Sequence, residues 1–382
     1  MAQAQEAVAD PAVTPATTGQ TQAPRKPRYI SWDAVRVVGI LAVLLFHASL
    51  LAPLNLPGLE LPPEPLRMDF PFGASVLITV SGYFAAMTIG KHSSLRWWLR
   101  RLARLLPAFW VAVIVIFVST QLFAPEGLPR HTYTDLLGNL ALIHLAVPEI
   151  SYIDLAHWTV PVQVAGFTAI ALLAANKRVR GNVATAVMWA ALLVPLALRY
   201  FFMGPGDVTP FWVSTIMDGT GLNRAHLLLA GVAIYRWSKN RQSFTQLYLM
   251  LLAVLLAHDM HPPDNDAVLP YAVSLVLICV AAYQPAWDGK VFVVLERPIR
   301  WLAGISYGVY LMHFVMGTIV ARHLADAGVP WWGWIPAWFA SAILLGWALT
   351  KLVERPVFNV INRLLTPKDK PVPPVRPARP SV

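Results

Sequence analysis

Arg36 and His47 stand eleven positions apart in one apolar stretch, with Asp33 just ahead of them. At ~100° per residue those eleven steps make three turns plus about 20°, and Asp33 falls roughly 40° off the same line, so all three share one helix face. A rise of ~1.5 Å per residue sets His47 about 16 Å from Arg36, around the middle of a ~30 Å hydrocarbon core for a stretch that spans a bilayer. Ionisable groups at that depth are costly and suggest function by default, while a histidine can also serve there as interhelical glue. As chemistry, a neutral imidazole takes a proton from a hydroxyl near neutral pH, or carries a transferred group covalently.

A second group is cationic. Arg96, Arg100, Arg101 and Arg104 are interleaved with Trp97 and Trp98 just before an apolar run. They read as an interfacial anchor, and Arg101 and Arg104, at i and i+3, also read as a clamp for the phosphates of a cytosolic donor. Composition leaves both readings open. Ser81, in Ser81-Gly82-Tyr83, fits close helix packing; Trp158 and Gln163 bring polar groups into a later apolar run, as interhelical bond or substrate contact. Arg224 among acidic neighbours is placed to meet an anionic substrate. Tyr310 and His313 lie inside another span, and His313 is the second candidate for a functional imidazole. His131, His258 and His261 read as solvated loop residues, and Glu354-Arg355 as an ion pair that stops a helix before Pro356.

Membrane helices must position these groups. Of the 382 residues 57% are hydrophobic and 13% charged, against about 45–50% apolar and 25% charged in soluble domains, which excludes a soluble globular enzyme. Apolar runs predict an all-α polytopic membrane protein with about ten transmembrane helices, near 35–51, 72–89, 105–123, 158–175, 183–202, 225–235, 244–257, 267–283, 301–320 and 334–353. The chain carries 30 Lys plus Arg against 20 Asp plus Glu, a net charge of +10. Threaded with both termini in the cytoplasm, the basic residues gather inside: Arg25, Lys26 and Arg28, then 91–104, 177–180, 236–241 and 290–300. The acids, such as Glu60, Asp69, Asp207, Asp218 and Asp264, lie outside. The charge therefore points to the lipid bilayer, not nucleic acid. The apolar stretch 136–147 is too short to cross and reads as a re-entrant or outer-surface segment. Residues 1–28 and the Pro-rich 366–382 read as disordered tails flanking a membrane domain at 29–365. Cys279, the only cysteine, excludes internal disulfides and multi-cysteine metal sites; no metal is expected.

Five elements occur in order: Arg36 and His47 with ten residues between them; Ser81-Gly82-Tyr83-Phe84; Arg101-Leu102-Ala103-Arg104 before Leu105-Leu106-Pro107; the run from Ile305 to Phe314; and Glu354-Arg355-Pro356-Val357. In these the chain resembles, from 29 to 358, the acyltransferase 3 family of integral membrane O-acyltransferases. The resemblance implies a multi-pass protein of the plasma (inner) membrane that moves an acyl group, often acetyl, from cytosolic acyl-CoA to a hydroxyl of a sugar, glycolipid, envelope glycan or natural product. It implies no bound cofactor, with acyl-CoA as donor co-substrate. His47, with Arg36 beside it, would be catalytic, and Arg36, Arg101 and Arg104 would aid donor binding; the residues themselves, apart from the resemblance, give Asp33, Ser81, Trp158, Gln163, Arg224, Tyr310 and His313 as candidate substrate contacts. Many members resemble Trp-Ser-Leu-x-x-Glu where this chain has Trp158 to Gln163, so an amide that does not titrate replaces a carboxylate. Some members also carry an appended soluble hydrolase-like domain, and none is expected in the residues after the last span here. The competing expectation is a proton-coupled transporter or flippase that uses Asp33, Arg36 and His47 as a polar pathway. The internal pseudo-symmetry common in such proteins is not visible in the sequence.

Overall fold

The computed structural model describes residues 29–204, 208–261 and 264–366. The expected tails, apart from Thr366, lie outside those residues, as does Asp207. Among the described residues every regular element is a helix. Helices α1 (Ile30–Asn55), α2 (Gly73–Lys91) and α3 (Ser94–Phe123) are long and apolar, and the eight-residue α4 (Tyr133–Leu140) follows. Next come α5 (Leu155–Ala175) and α6 (Gly181–Phe202), then the short α7 (Phe211–Met217). Helices α8 (Ala225–Ser238), α9 (Phe244–Asp259) and α10 (Val268–Tyr283) run for 14, 16 and 16 residues. After α11 (Lys290–Val294), helices α12 (Glu296–Met312) and α13 (Phe314–Asp326) meet at 73°, and α14 (Trp331–Leu365) completes the described fold.

By length and composition six of these helices, α1, α2, α3, α5, α6 and α14, can cross a membrane, or seven with the bent α12–α13 pair. Helices α8 to α10 occupy the places of the sixth to eighth expected spans but are shorter than the ~20 residues that cross a full hydrocarbon core. Helix α4 sits in the apolar stretch read as non-crossing, and its eight residues are too few to cross. Its start is fixed by a capping box, in which the Thr132 hydroxyl accepts the Asp135 N–H while the Asp135 carboxylate accepts the Thr132 N–H.

Three expectations are corrected. The span at 301–320 is two helices broken at His313. The last helix does not stop before Pro356: a π-helical turn at Thr350–Glu354 carries it into Arg355–Leu365, where Pro356 occupies the first turn and its missing N–H costs nothing. Finally, His258 is fully buried in α9, its ring 4.4 Å from that of Tyr271, and is not a solvated loop residue.

Lipid tails are as apolar as leucine, so helices in a membrane associate through close packing. Glycines permit it here. A Cβ on Gly82 of α2 would collide with the Leu228 carbonyl of α8, and one on Gly231 with the Thr79 carbonyl of α2. Gly308 of α12 and Gly346 of α14 meet in the same way. Two apolar clusters result. One joins α1, α3, α12, α13 and α14 around Trp334 and Trp338; the other joins α2, α8, α9 and α10 around Tyr271.

Candidate active site

A cavity of about 380 Å³ opens where α2, α3, α5 and α12 come together. Its lining runs along α2 from Ala74 to Lys91, a length of ~25 Å at helical rise. At one end stand Lys91, His92, Arg100 and Arg104; at the other are Ser81, Thr159, Gln163 and Tyr310, with Arg36 and Arg101 also on the wall. Of the predicted site residues it thus gathers Arg36, Arg101, Arg104, Ser81, Gln163 and Tyr310.

The four arginines on the wall are held. Arg36 lies 3.8 Å from the buried Asp33 carboxylate, one turn earlier on α1, with its guanidinium 4.7 Å from the Phe84 ring centre. Arg101 donates to the Phe84 carbonyl at 2.6 Å and the Thr88 hydroxyl at 2.7 Å, tying α3 to α2. Arg104 is more exposed and lies 3.9 Å from Glu354. Arg100 bonds to His92 and to the Thr366 hydroxyl. Burial, then the positive charges of Arg100, Arg96 and Lys91, hold His92 below the usual histidine range. The mouth is therefore cationic; of these partners Phe84 and Glu354 stand in sequence elements named above, without these contacts, and Thr88 carried no signal in the sequence. Ser81 donates to the Gln163 side-chain oxygen at 2.9 Å across the wall.

His47 and His313 lie beyond this lining, with Tyr310 between cavity and pair: the Tyr310 and His313 ring centres are 5.5 Å apart. His47 Nδ1 is 2.5 Å from His313 Nε2, and the two rings are within 6° of parallel. Both histidines sit at irregular turns. His47 opens a π-helical turn, His47–Leu51, and His313 is the break between α12 and α13. A broken helix leaves carbonyls without N–H partners before the break and N–H groups without carbonyls after it. Here the Tyr310 carbonyl accepts from His313 Nδ1 at 2.6 Å, and the Leu311 carbonyl from His157 Nε2 at 3.0 Å. After the break, the Val315 N–H donates to the Asp154 carboxylate at 3.1 Å.

This pattern assigns the tautomers. His313 Nδ1 faces a carbonyl, so it carries the proton and Nε2 is an acceptor; His47 Nδ1 must then donate to it, which leaves the lone pair of the neutral His47 on Nε2. The arrangement can accept a proton at His47 and share it with His313.

Trp158 and Arg224 meet each other instead of the cavity, the guanidinium 4.4 Å from the indole centre. The Tyr310 hydroxyl donates to the Ala156 carbonyl at 2.7 Å, fixing the ring beside the pair. Among the described residues no group of three or more His, Cys, Asp or Glu side chains is arranged to hold a metal ion.

A family model described as an acyltransferase domain matches residues 29–351, which include every residue placed above except Glu354 and Thr366. The chain belongs to the acyltransferase 3 family. Relatives of this chain include the peptidoglycan O-acetyltransferase OatA of Listeria monocytogenes, 23% identical over 347 residues, covering 76% of this chain and 49% of the relative. A Staphylococcus aureus strain COL protein named as an O-acetyltransferase is 22% identical over 349 residues, covering 80% of this chain and 54% of its own. The chain thus spans about half the length of these curated relatives. No solved structure matches it.

Proposed function

We propose that this protein is a membrane O-acyltransferase that moves a short acyl group, acetyl above all, from acyl-CoA to a hydroxyl of a cell-envelope glycan. The observation that carries the reading is the cavity itself, cationic at one end and adjoining the Tyr310–His313–His47 array at the other. The cavity runs from the basic mouth to Tyr310, so an acyl-pantetheine arm laid along it leaves the nucleotide phosphates at the mouth with Arg104, Arg100, Lys91 and His92. The relatives' names support acetyl as the group, and the name of the Listeria relative supports a glycan as the acceptor.

The chemistry balances without a further reactant. The acceptor oxygen bonds to the thioester carbonyl carbon while its proton passes to His47 Nε2; the carbon–sulfur bond breaks, and the leaving thiolate takes the proton back. His313 shares the proton through its bond to His47, and Tyr310 holds His313 in the required tautomer through its carbonyl. The basic mouth faces the cytoplasm of a plasma-membrane protein with both termini inside, in which the shorter α8 to α10 cross along with the six long helices and the α12–α13 pair to make ten crossings; the distribution of basic residues supports this threading.

The test is thiol release from acetyl-CoA by full-length protein in detergent, with peptidoglycan fragments and other glycans as acceptors. Release that depends on acceptor, needs no gradient and disappears in His47→Ala is the expected result. Retained wild-type turnover in His47→Ala removes the residue from the mechanism. Inertness toward acetyl-CoA with every acceptor, together with proton-coupled flux in vesicles, moves the assignment to transport.

A further inference from the structure

The break at His313 leaves an account that the acyl-transfer chemistry above does not use. Asp154 is buried, 1% exposed, on the extended segment just before α5. One carboxylate oxygen accepts the Ala156 N–H at 2.8 Å and the other accepts the Val315 N–H at 3.1 Å, 161 residues away in sequence. Val315 is two residues past His313, in the first turn of α13. No arginine or lysine forms an ion pair with Asp154 among the described residues. A buried carboxylate with only backbone partners is expensive to keep, and a positive helix N-terminus offsets part of that cost. The same carboxylate lies close enough to His313 to act on it electrostatically.

We propose that Asp154 is the positioning residue of the histidine pair: its carboxylate caps α13 to hold the break that brings His313 against His47, and its charge balances the proton the pair takes up. The inference rests on the acyl-transfer reading for the source of that proton, but not for the geometry. Gln163 does not fill this role, because it is an uncharged amide on the cavity wall bonded to Ser81. The charged and titratable groups that surround Asp154 and the pair are Tyr310 on α12, His157 on the turn into α5, His131 ahead of α4 and Arg224 ahead of α8. Asp154 is the carboxylate among them.

A chemical readout tests this without an acceptor. Full-length protein in detergent is treated with diethyl pyrocarbonate across pH values from about 5 to 8, and carbethoxylation of His47 is followed by mass spectrometry. Asp154→Asn removes the charge; Asp154→Ser removes it too but keeps an oxygen for capping. In both, the midpoint of His47 labelling should move to lower pH by about one unit, because protonation of the pair loses its counter-charge. Asp135→Asn, which removes a carboxylate that caps backbone at Thr132 and Ser151, should leave the midpoint in place. An unmoved midpoint in folded Asp154 variants overturns the proposal. Failure of both variants to accumulate, with Asp135→Asn folded, assigns Asp154 a structural role alone and also overturns it. A moved midpoint in protein that transfers no acyl group keeps this inference and defeats the acyl-transfer reading.

Discussion

His47 and His313 illustrate how much a side chain's chemistry depends on what its second nitrogen meets. With His313 Nδ1 bonded to the Tyr310 carbonyl, the pair delivers one lone pair, at His47 Nε2. His47→Asn should therefore be as inactive as His47→Ala, a loss of about 10²- to 10⁴-fold in kcat, since an amide takes no proton near neutral pH. His313→Asn should lower kcat with little change in the KM for acetyl-CoA; equal changes in both would place His313 in binding instead. The arginines divide differently. Arg101 is committed to the Phe84 carbonyl and the Thr88 hydroxyl, so Arg101→Gln should cost stability of about 1–3 kcal/mol, read as a lower melting temperature. Arg104→Gln, at a more exposed side chain, should raise the acetyl-CoA KM and leave the melting temperature in place. His92 is held below the usual histidine range by burial and by Arg100, Arg96 and Lys91. A phosphate at that mouth reverses the local charge and raises its proton affinity, so binding takes up a proton and CoA binds more tightly as pH falls toward 6. Calorimetry in two buffers of different ionisation heat checks this, and His92→Gln should remove part of the uptake.

At the scale of elements, the site depends on helices that depart from regular geometry or approach unusually closely. The 73° break between α12 and α13 frees the carbonyls that orient two imidazoles, and the π-helical turn at His47 re-aims α1 at the same level. Opposite them, Gly82 and Gly231 let α2 and α8 touch backbone to backbone, which holds α2 as the long wall of the cavity. Gly231→Ala would push a methyl into the Thr79 carbonyl, and the cost should be about 1–3 kcal/mol with loss of activity in proportion to the folded fraction. Thermal unfolding in detergent measures it; a wild-type melting temperature would show that the two helices separate freely.

At the scale of the whole molecule, the testable quantity is which end of the bundle carries the basic mouth. With Cys279 replaced by Ser, single cysteines at Glu60 and Asp259, both exposed, should react with an impermeant thiol reagent in intact cells. Cysteines at Lys177 and Lys239, also exposed, should react only after lysis. The reverse pattern would turn the cavity mouth outward and remove cytosolic acyl-CoA as its ligand.

Much of this protein could be read from the chain alone because a bilayer imposes local rules. Hydropathy is local, so the apolar runs marked the helices, and an intramembrane imidazole stands out because burial there is costly. Arg36, Arg101, Arg104, Ser81 and Gln163 were singled out by type and spacing, and they share one cavity. What required the tertiary structure was every relation between distant segments. Nothing in the run from Ser306 to Phe314 distinguishes a straight helix from one broken at His313, because the groups that satisfy the broken backbone, His157 and Asp154, come from more than 150 residues earlier. The same holds for the partner of His47, 266 positions away, and for Glu354 beside Arg104. Sequence sets which side chains are costly to bury; only the packed bundle decides which of them meet, because hydrogen bonds between helices are made across space and leave no period in the chain.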